Sequence, residues 1–242
     1  MAERAWQLVL EHIERDLLSG RLGPGDRLPS ERDLAAGLGV GRSSVREAFR
    51  VLDVMGLIRT ATGSGPSSGA IVIATPSGGL SALMRLQVAA QGFPLTDVVQ
   101  TRLVLEDAVV ASLASAAVRD TEDAHRILDA MDADDLSTTE FLALDARLHL
   151  ALAESSGNTV VAAMMAGLRT AIESYVLAGS QRIDDWDAAA TRLRAEHRAI
   201  VAAIDAGDAD AARTRVRDHI TGYYTAAGLT PSTVNVHASH ND

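Results

Sequence analysis

The chain has 242 residues, is 47% hydrophobic but only 3% aromatic, carries a formal net charge of −10 and contains no cysteine. That length allows two modest domains with cores of Ala, Leu, Val and Ile, and the missing thiols exclude disulfides and thiolate metal sites. No apolar run reaches the roughly 18 residues a membrane span needs, and Glu3, Arg4, Glu11 and Glu14 interrupt any signal-peptide pattern, so a soluble cytoplasmic protein is expected.

Residues 4–19 read as a helix whose inner stripe is Trp6, Val9, Leu10, Ile13 and Leu17. Gly20, Gly23, Pro24 and Gly25 end it in a loop. The run RLPSERDLAAGLGVGRSSVREAFRVLDVMGLI, residues 27–58, then reads as two short helices joined by a tight turn. Ser30 is a natural N-cap, and Asp33 can reach back to it in the manner of a capping box. Leu34, Ala35 and Leu38 share one face, and Gly39 and Gly41 allow the turn. From Arg42 a second helix buries Val45, Ala48, Phe49, Leu52 and Met55 and presents Ser43, Arg46, Glu47 and Arg50. Arg can grip phosphate or read guanine bidentately, and Ser can bond either. One amphipathic helix is ordinarily a solvated surface helix. Three helices, a Gly turn and the hairpin that follows (58–61 and 70–74) favour a DNA reader.

The charge is uneven. Residues 1–75 hold nine Arg and nine acids, and the remainder holds 13 Arg and 23 acids. DNA affinity follows the local basic patch and not the total, so the acidic body is no obstacle.

The run RLPSERDLAAGLGV, the SVREAFRVL segment and the closing GLI resemble the winged helix-turn-helix of GntR-family transcription regulators, over roughly residues 8 to 73. The resemblance implies DNA contacts at Arg32, Arg42, Ser43 and Arg46, and a minor-groove contact at the wing tip near Gly63. Gly41 departs from the family's usual Ser or Thr, which removes a capping hydroxyl and a phosphate contact. The wing, TATGSGPSSGAIVI, is also longer and richer in Ser and Gly than is usual.

Thr75 to Gly79 read as a linker, which gives a DNA-binding domain at 1–74 and an all-helical domain at 80–228. The expected helices there are 79–91, 95–118, 121–133, 137–156, 158–179, 184–206 and 208–227, a bundle of six or seven. The fold class expected is therefore mainly α. The tail, 229–242, has no apolar period and reads as disordered.

Within the bundle, Asp145 and His149 lie four apart on the apolar face that carries Phe141, Leu144, Leu148 and Leu152. His197 falls in the stripe Leu193, Ile200, Val201 and Ile204, and His219 in Val216, Ile220 and Tyr223. A lone inward His is ordinarily a core residue bonded to a carbonyl. One carboxylate and three imidazoles turned inward from three helices would satisfy one another best around a divalent ion, and a His3Asp set suits Zn, Ni, Mn or Fe. Arg102 and Glu106 also fall on an inner stripe, with Val98, Val99, Val109 and Leu113. A buried Arg needs an anion, either Glu106 or Asp107 of this chain or a bound acid.

Residues 79–227 resemble the FCD effector domain, whose metal-binding members carry an Asp and three His in this order and spacing. The resemblance puts those ligands at Asp145, His149, His197 and His219, a carboxylate anchor at Arg102 within TRLVLE, and a weaker effector contact at Asn158, which also reads as a helix N-cap. It implies a homodimeric regulator, a repressor, that binds palindromic operator DNA and senses a small carboxylic acid. A sensor of metal alone and a metal-dependent enzyme are the alternatives; the sequence offers no nucleophile elbow, phosphate loop or second cofactor motif for the enzyme.

Overall fold

A computed structural model describes residues 5–61, 69–74, 76–90 and 92–228. Among the described residues the chain forms ten helices and a two-stranded antiparallel sheet, and it divides into two compact units between Ala82 and Leu83. It is mainly α, as expected.

The first unit contains α1 (Ala5–Leu18), α2 (Glu31–Leu38), α3 (Arg42–Val54), β1 (Ile58–Ala61) and β2 (Gly69–Val72). Val9, Ile13, Leu34, Val45, Phe49 and Ile58 meet in one core, where burying such a side chain is worth about 1.5–3 kcal/mol. Ser30 caps α2 by accepting from the Asp33 N–H at 3.2 Å, and Asp33 returns to the Ser30 hydroxyl, which donates to its carboxylate at 2.7 Å. Only Gly39 needs to be glycine for the turn, since its φ is 66° whereas that of Gly41 is −71°. Gly41 is the N-cap of α3 and supplies no side-chain bond. Met55 is not part of the buried stripe. α3 ends at Val54, the chain turns through Gly56 at a φ of 72°, and Met55 is left 51% exposed.

β1 and β2 pair in the register Ile58 with Val72 and Thr60 with Ala70. Residues 25–28, where the sequence carried no strand signal, lie along the other edge of β2. The N–H groups of Gly25 and Leu28 donate to Val72 and Ala70, and the Val72 N–H donates to Asp26, all at 2.8–2.9 Å. This pairing occupies an edge that would otherwise be open. Gly63 and the wing tip lie outside the described residues, as does the tail from 229.

The remaining helices are α4 (Pro76–Ala89), α5 (Leu95–Ser115), α6 (Glu122–Met131), α7 (Thr138–Ser155), α8 (Thr159–Ser180), α9 (Trp186–Asp205) and α10 (Ala209–Ala226). The stretch read as linker is, from Pro76 on, the first turn of α4. Proline is tolerated there because its missing N–H would have had no helical partner. α5 runs through the second unit and packs against α7, α8, α9 and α10, while α6 packs on α7 and α9. Ser137 and Glu140 form a full capping box at the start of α7. Gly207, at a φ of 74°, closes α9, and Asp208 opens α10 by accepting from the Ala211 N–H at 2.9 Å. That short connection fixes the register of α9 against α10, and so of His197 against His219.

Candidate functional site

In the first unit the outward face of α3 carries Arg42, Ser43, Arg46, Glu47 and Arg50, all exposed. Glu31, at the start of α2, pairs with Arg46 at 3.1 Å and lies 3.9 Å from Arg42. Arg32 is exposed beside Asp33 at 3.3 Å. Exposed pairs of this kind are weakly held, so these guanidinium groups can exchange a carboxylate for a phosphate or a base edge at little cost.

The second unit brings the four sequence-predicted residues together. Ligand atoms of Asp145, His149, His197 and His219 all lie within 4.8 Å of one another. The Nε2 of His219 is 3.3 Å from that of His149 and 3.1 Å from that of His197, and His197 Nε2 is 3.0 Å from an Asp145 oxygen. The three imidazoles are buried, His197 completely. A carboxylate sits behind two of the rings. Glu106 faces His149 Nδ1, and Glu196 lies 2.8 Å from His219 Nδ1. A carboxylate there favours a proton on Nδ1 and turns the Nε2 lone pair inward. Two inward lone pairs 3.3 Å apart repel unless a cation lies between them. This donor set, three nitrogens and one carboxylate oxygen with no thiolate, fits a divalent metal ion.

The electrostatics agree with that fit. Burial lowers the His219 imidazole to about 4, helped by neighbouring His197 and opposed by Glu196, so the ring is neutral and able to ligate. Burial works to raise the Asp145 carboxyl, but His197, His149 and His219 together hold the group well below the usual range. Burial likewise opposes ionisation of Glu106, yet Arg102 and then His149 bring it down to about 2. Arg102 is 8% exposed and pairs with Glu106, four residues on in α5. Of the anions the sequence left open for Arg102, namely Glu106, Asp107 and a bound acid, this chain therefore supplies Glu106.

A cavity adjoins the cluster. Arg102, Asp145, His149 and Arg169 give it polar wall, and Leu142, Leu168 and other apolar side chains complete it. Asn158 is not among the lining residues. It is exposed, and its side-chain oxygen accepts from the Val160 and Val161 N–H groups at 3.2 Å as the N-cap of α8, one of the two roles the sequence offered it. Sequence reasoning missed Glu196 and Arg169. Glu196 precedes His197 but serves His219 on another helix, and Arg169 reads in isolation as a solvated residue, so neither carries a local signal.

Comparison with known proteins agrees with both units. The family described as "Bacterial regulatory proteins, gntR family" matches residues 7–66, and "FCD domain" matches residues 97–222. The chain is 29% identical over 218 residues to a putative L-lactate dehydrogenase operon regulatory protein of Escherichia coli K12, covering 90% of this chain and 84% of that one. It is 30% identical over 224 residues to the HTH-type transcriptional repressor NanR of Citrobacter rodentium, covering 88% and 82%. Among solved structures it is similar to a Streptococcus agalactiae GntR protein, with a TM-score of 0.57 and 22% identity over 90% of this chain and 98% of that one.

Proposed function

The chain belongs to the gntR family of DNA-binding transcription regulators, with an FCD domain as its helical unit, and on that premise we propose that it is a metal-loaded repressor released from its operator by a small carboxylic acid. The observation that carries the reading is the inward convergence of three buried Nε2 atoms and Asp145 beside a cavity. Asp145, His149, His197 and His219 would hold the ion, zinc fitting the donor set best. When bound there, it would supply a Lewis-acidic point for a carboxylate, hydroxyl or keto oxygen. The sign of regulation is carried over from the relative named as a repressor, and the acid class from the relative named for an L-lactate dehydrogenase operon.

On the DNA side, Arg32, Arg42, Ser43 and Arg46 would make the contacts, Arg46 being best placed on α3 to read a base. Two copies would read the two halves of a palindrome. A homodimer formed by the helical unit would cover some of the apolar side chains this unit exposes, among them Leu83, Leu86, Val104, Val160 and Met164. An acid that binds the two dimer geometries unequally shifts operator affinity by that difference.

The test is operator binding by fluorescence anisotropy, with DNA from upstream of the protein's own gene, on metal-loaded and chelator-stripped protein, with and without short hydroxy and keto acids. Release by an acid that requires the metal is expected. Release by metal alone favours a pure metal sensor, and indifference to both sinks the sensing half while leaving the DNA reader standing.

A further inference from the structure

Arg102 is the residue expected to hold an effector carboxylate, yet its charge is already answered within the fold. It is buried against Glu106, which also faces His149. Imidazoles ligate a metal as neutral groups, and Glu196 beside His219 is answered by Arg192, so Arg102, Glu106 and Asp145, with one positive and two negative charges, leave the set around the ion one unit negative. A divalent ion turns it one unit positive, and a buried net charge is costly unless a counter-ion is admitted. A second guanidinium borders the same cavity. Arg169 on α8 is half-buried in its wall and, among the described residues, has no hydrogen-bond or ion-pair partner. A guanidinium is shaped to take a carboxylate through two N–H donors. The space is also small. It offers about 40 Å³ to the centres of water-sized molecules, which suits a short ligand.

We propose that Arg169, and not Arg102, anchors the carboxylate of the effector, and that the effector is a short monocarboxylate. This rests on the reading of Asp145, His149, His197 and His219 as a metal site open to an acid. Arg102 is then a positioning residue. It holds Glu106, which orients His149, and its role is spent inside the fold. A monoanion also fits the charge balance, because it offsets either the charged metal set or Arg169 and leaves a single positive charge facing the cavity mouth.

Isothermal titration of the zinc-loaded full chain with acetate, glycolate, L-lactate and pyruvate, and with neutral lactamide, tests this in wild type, Arg169→Gln and Arg169→Lys. Arg169→Gln should weaken the tightest-binding acid at least about tenfold, keep its zinc and melting temperature, and leave lactamide unchanged. Arg169→Lys should restore part of the loss. Undiminished acid affinity in Arg169→Gln overturns the assignment of Arg169 alone and leaves the metal-site reading intact. Loss of zinc or of folded stability in that variant overturns it too, by making Arg169 structural. Failure of every acid to bind wild type overturns the effector reading itself, and this proposal with it.

Discussion

In the first unit Arg32, Arg42, Ser43 and Arg46 stand in solvent, tethered at most by single exposed carboxylates, whereas in the second Arg102, Glu106, His149, His197 and His219 are buried and answer one another. The difference is one of compensation. An exposed guanidinium keeps its hydration, can leave Glu31 for DNA, and contributes little to folding. A buried one must be matched atom for atom, so the residues of the helical unit are at once structure and site. Substitutions should therefore separate binding from stability in the first unit and fuse them in the second.

The largest expected effect follows from that fusion. Arg102→Ala leaves Glu106 in the core without its guanidinium, and breaking a buried pair from one side costs about 3–5 kcal/mol. Denaturant unfolding of the second unit should show it, and a change within error would mean that the Arg102–Glu106 contact is not the buried pair described above. Next comes the metal. At free zinc about a hundredfold above its dissociation constant, bound metal adds roughly 2.7 kcal/mol of stability. Stripping with chelator should lower the melting temperature of the helical unit accordingly. His197→Ala should abolish both the shift and the zinc found by elemental analysis after dialysis, and full zinc in that variant would return His197 to the core. Arg46→Ala sharpens the contrast from the other side. Specific operator affinity should fall at least about tenfold while the melting curve stays unchanged. A destabilised variant with intact DNA binding would invert the comparison.

The two units also differed in how far their residues gave them away. The helix-turn-helix was legible because its signals are local. Ser30 caps through a residue three positions on, Gly39 takes the one left-handed turn, and Val45, Ala48, Phe49 and Leu52 repeat at helical spacing. What escaped depends on partners distant in sequence or on where a helix stops. Residues 25–28 become a sheet edge only once β2 exists, and Met55 is exposed only because α3 ends one residue earlier. In the helical unit the four inward polar residues were legible as breaks in apolar stripes, which is a periodic signal. Their supports were not, since Glu196 bonds a histidine 23 residues away, whereas the cap at Asn158 was legible because its bonds are local. The sequence also left Glu106, Asp107 and a bound acid open for Arg102, and the fold selected Glu106.

The smallest expected effect lies at the start of α3. Gly41 opens α3 with extended backbone and no side-chain cap, and a Cβ built there meets only the Ser43 hydroxyl at 3.4 Å and the Ser44 hydroxyl at 4.0 Å. Gly41→Ser therefore fits without strain. Its hydroxyl can take a first-turn N–H of α3, but glycine is already a tolerable N-cap, so the gain is about a few tenths of a kcal/mol. The same hydroxyl stands at the end of the helix that carries Arg42 and Arg46, where it can donate to a backbone phosphate. A neutral donor releases no counter-ion, so operator and nonspecific DNA should both bind somewhat tighter with the salt dependence unchanged. A steeper salt dependence would mean that the substitution had re-aimed Arg42 or Arg46 instead. No change in affinity, with the small stability gain intact, would place residue 41 away from the phosphates and move the edge of the DNA footprint further along α3.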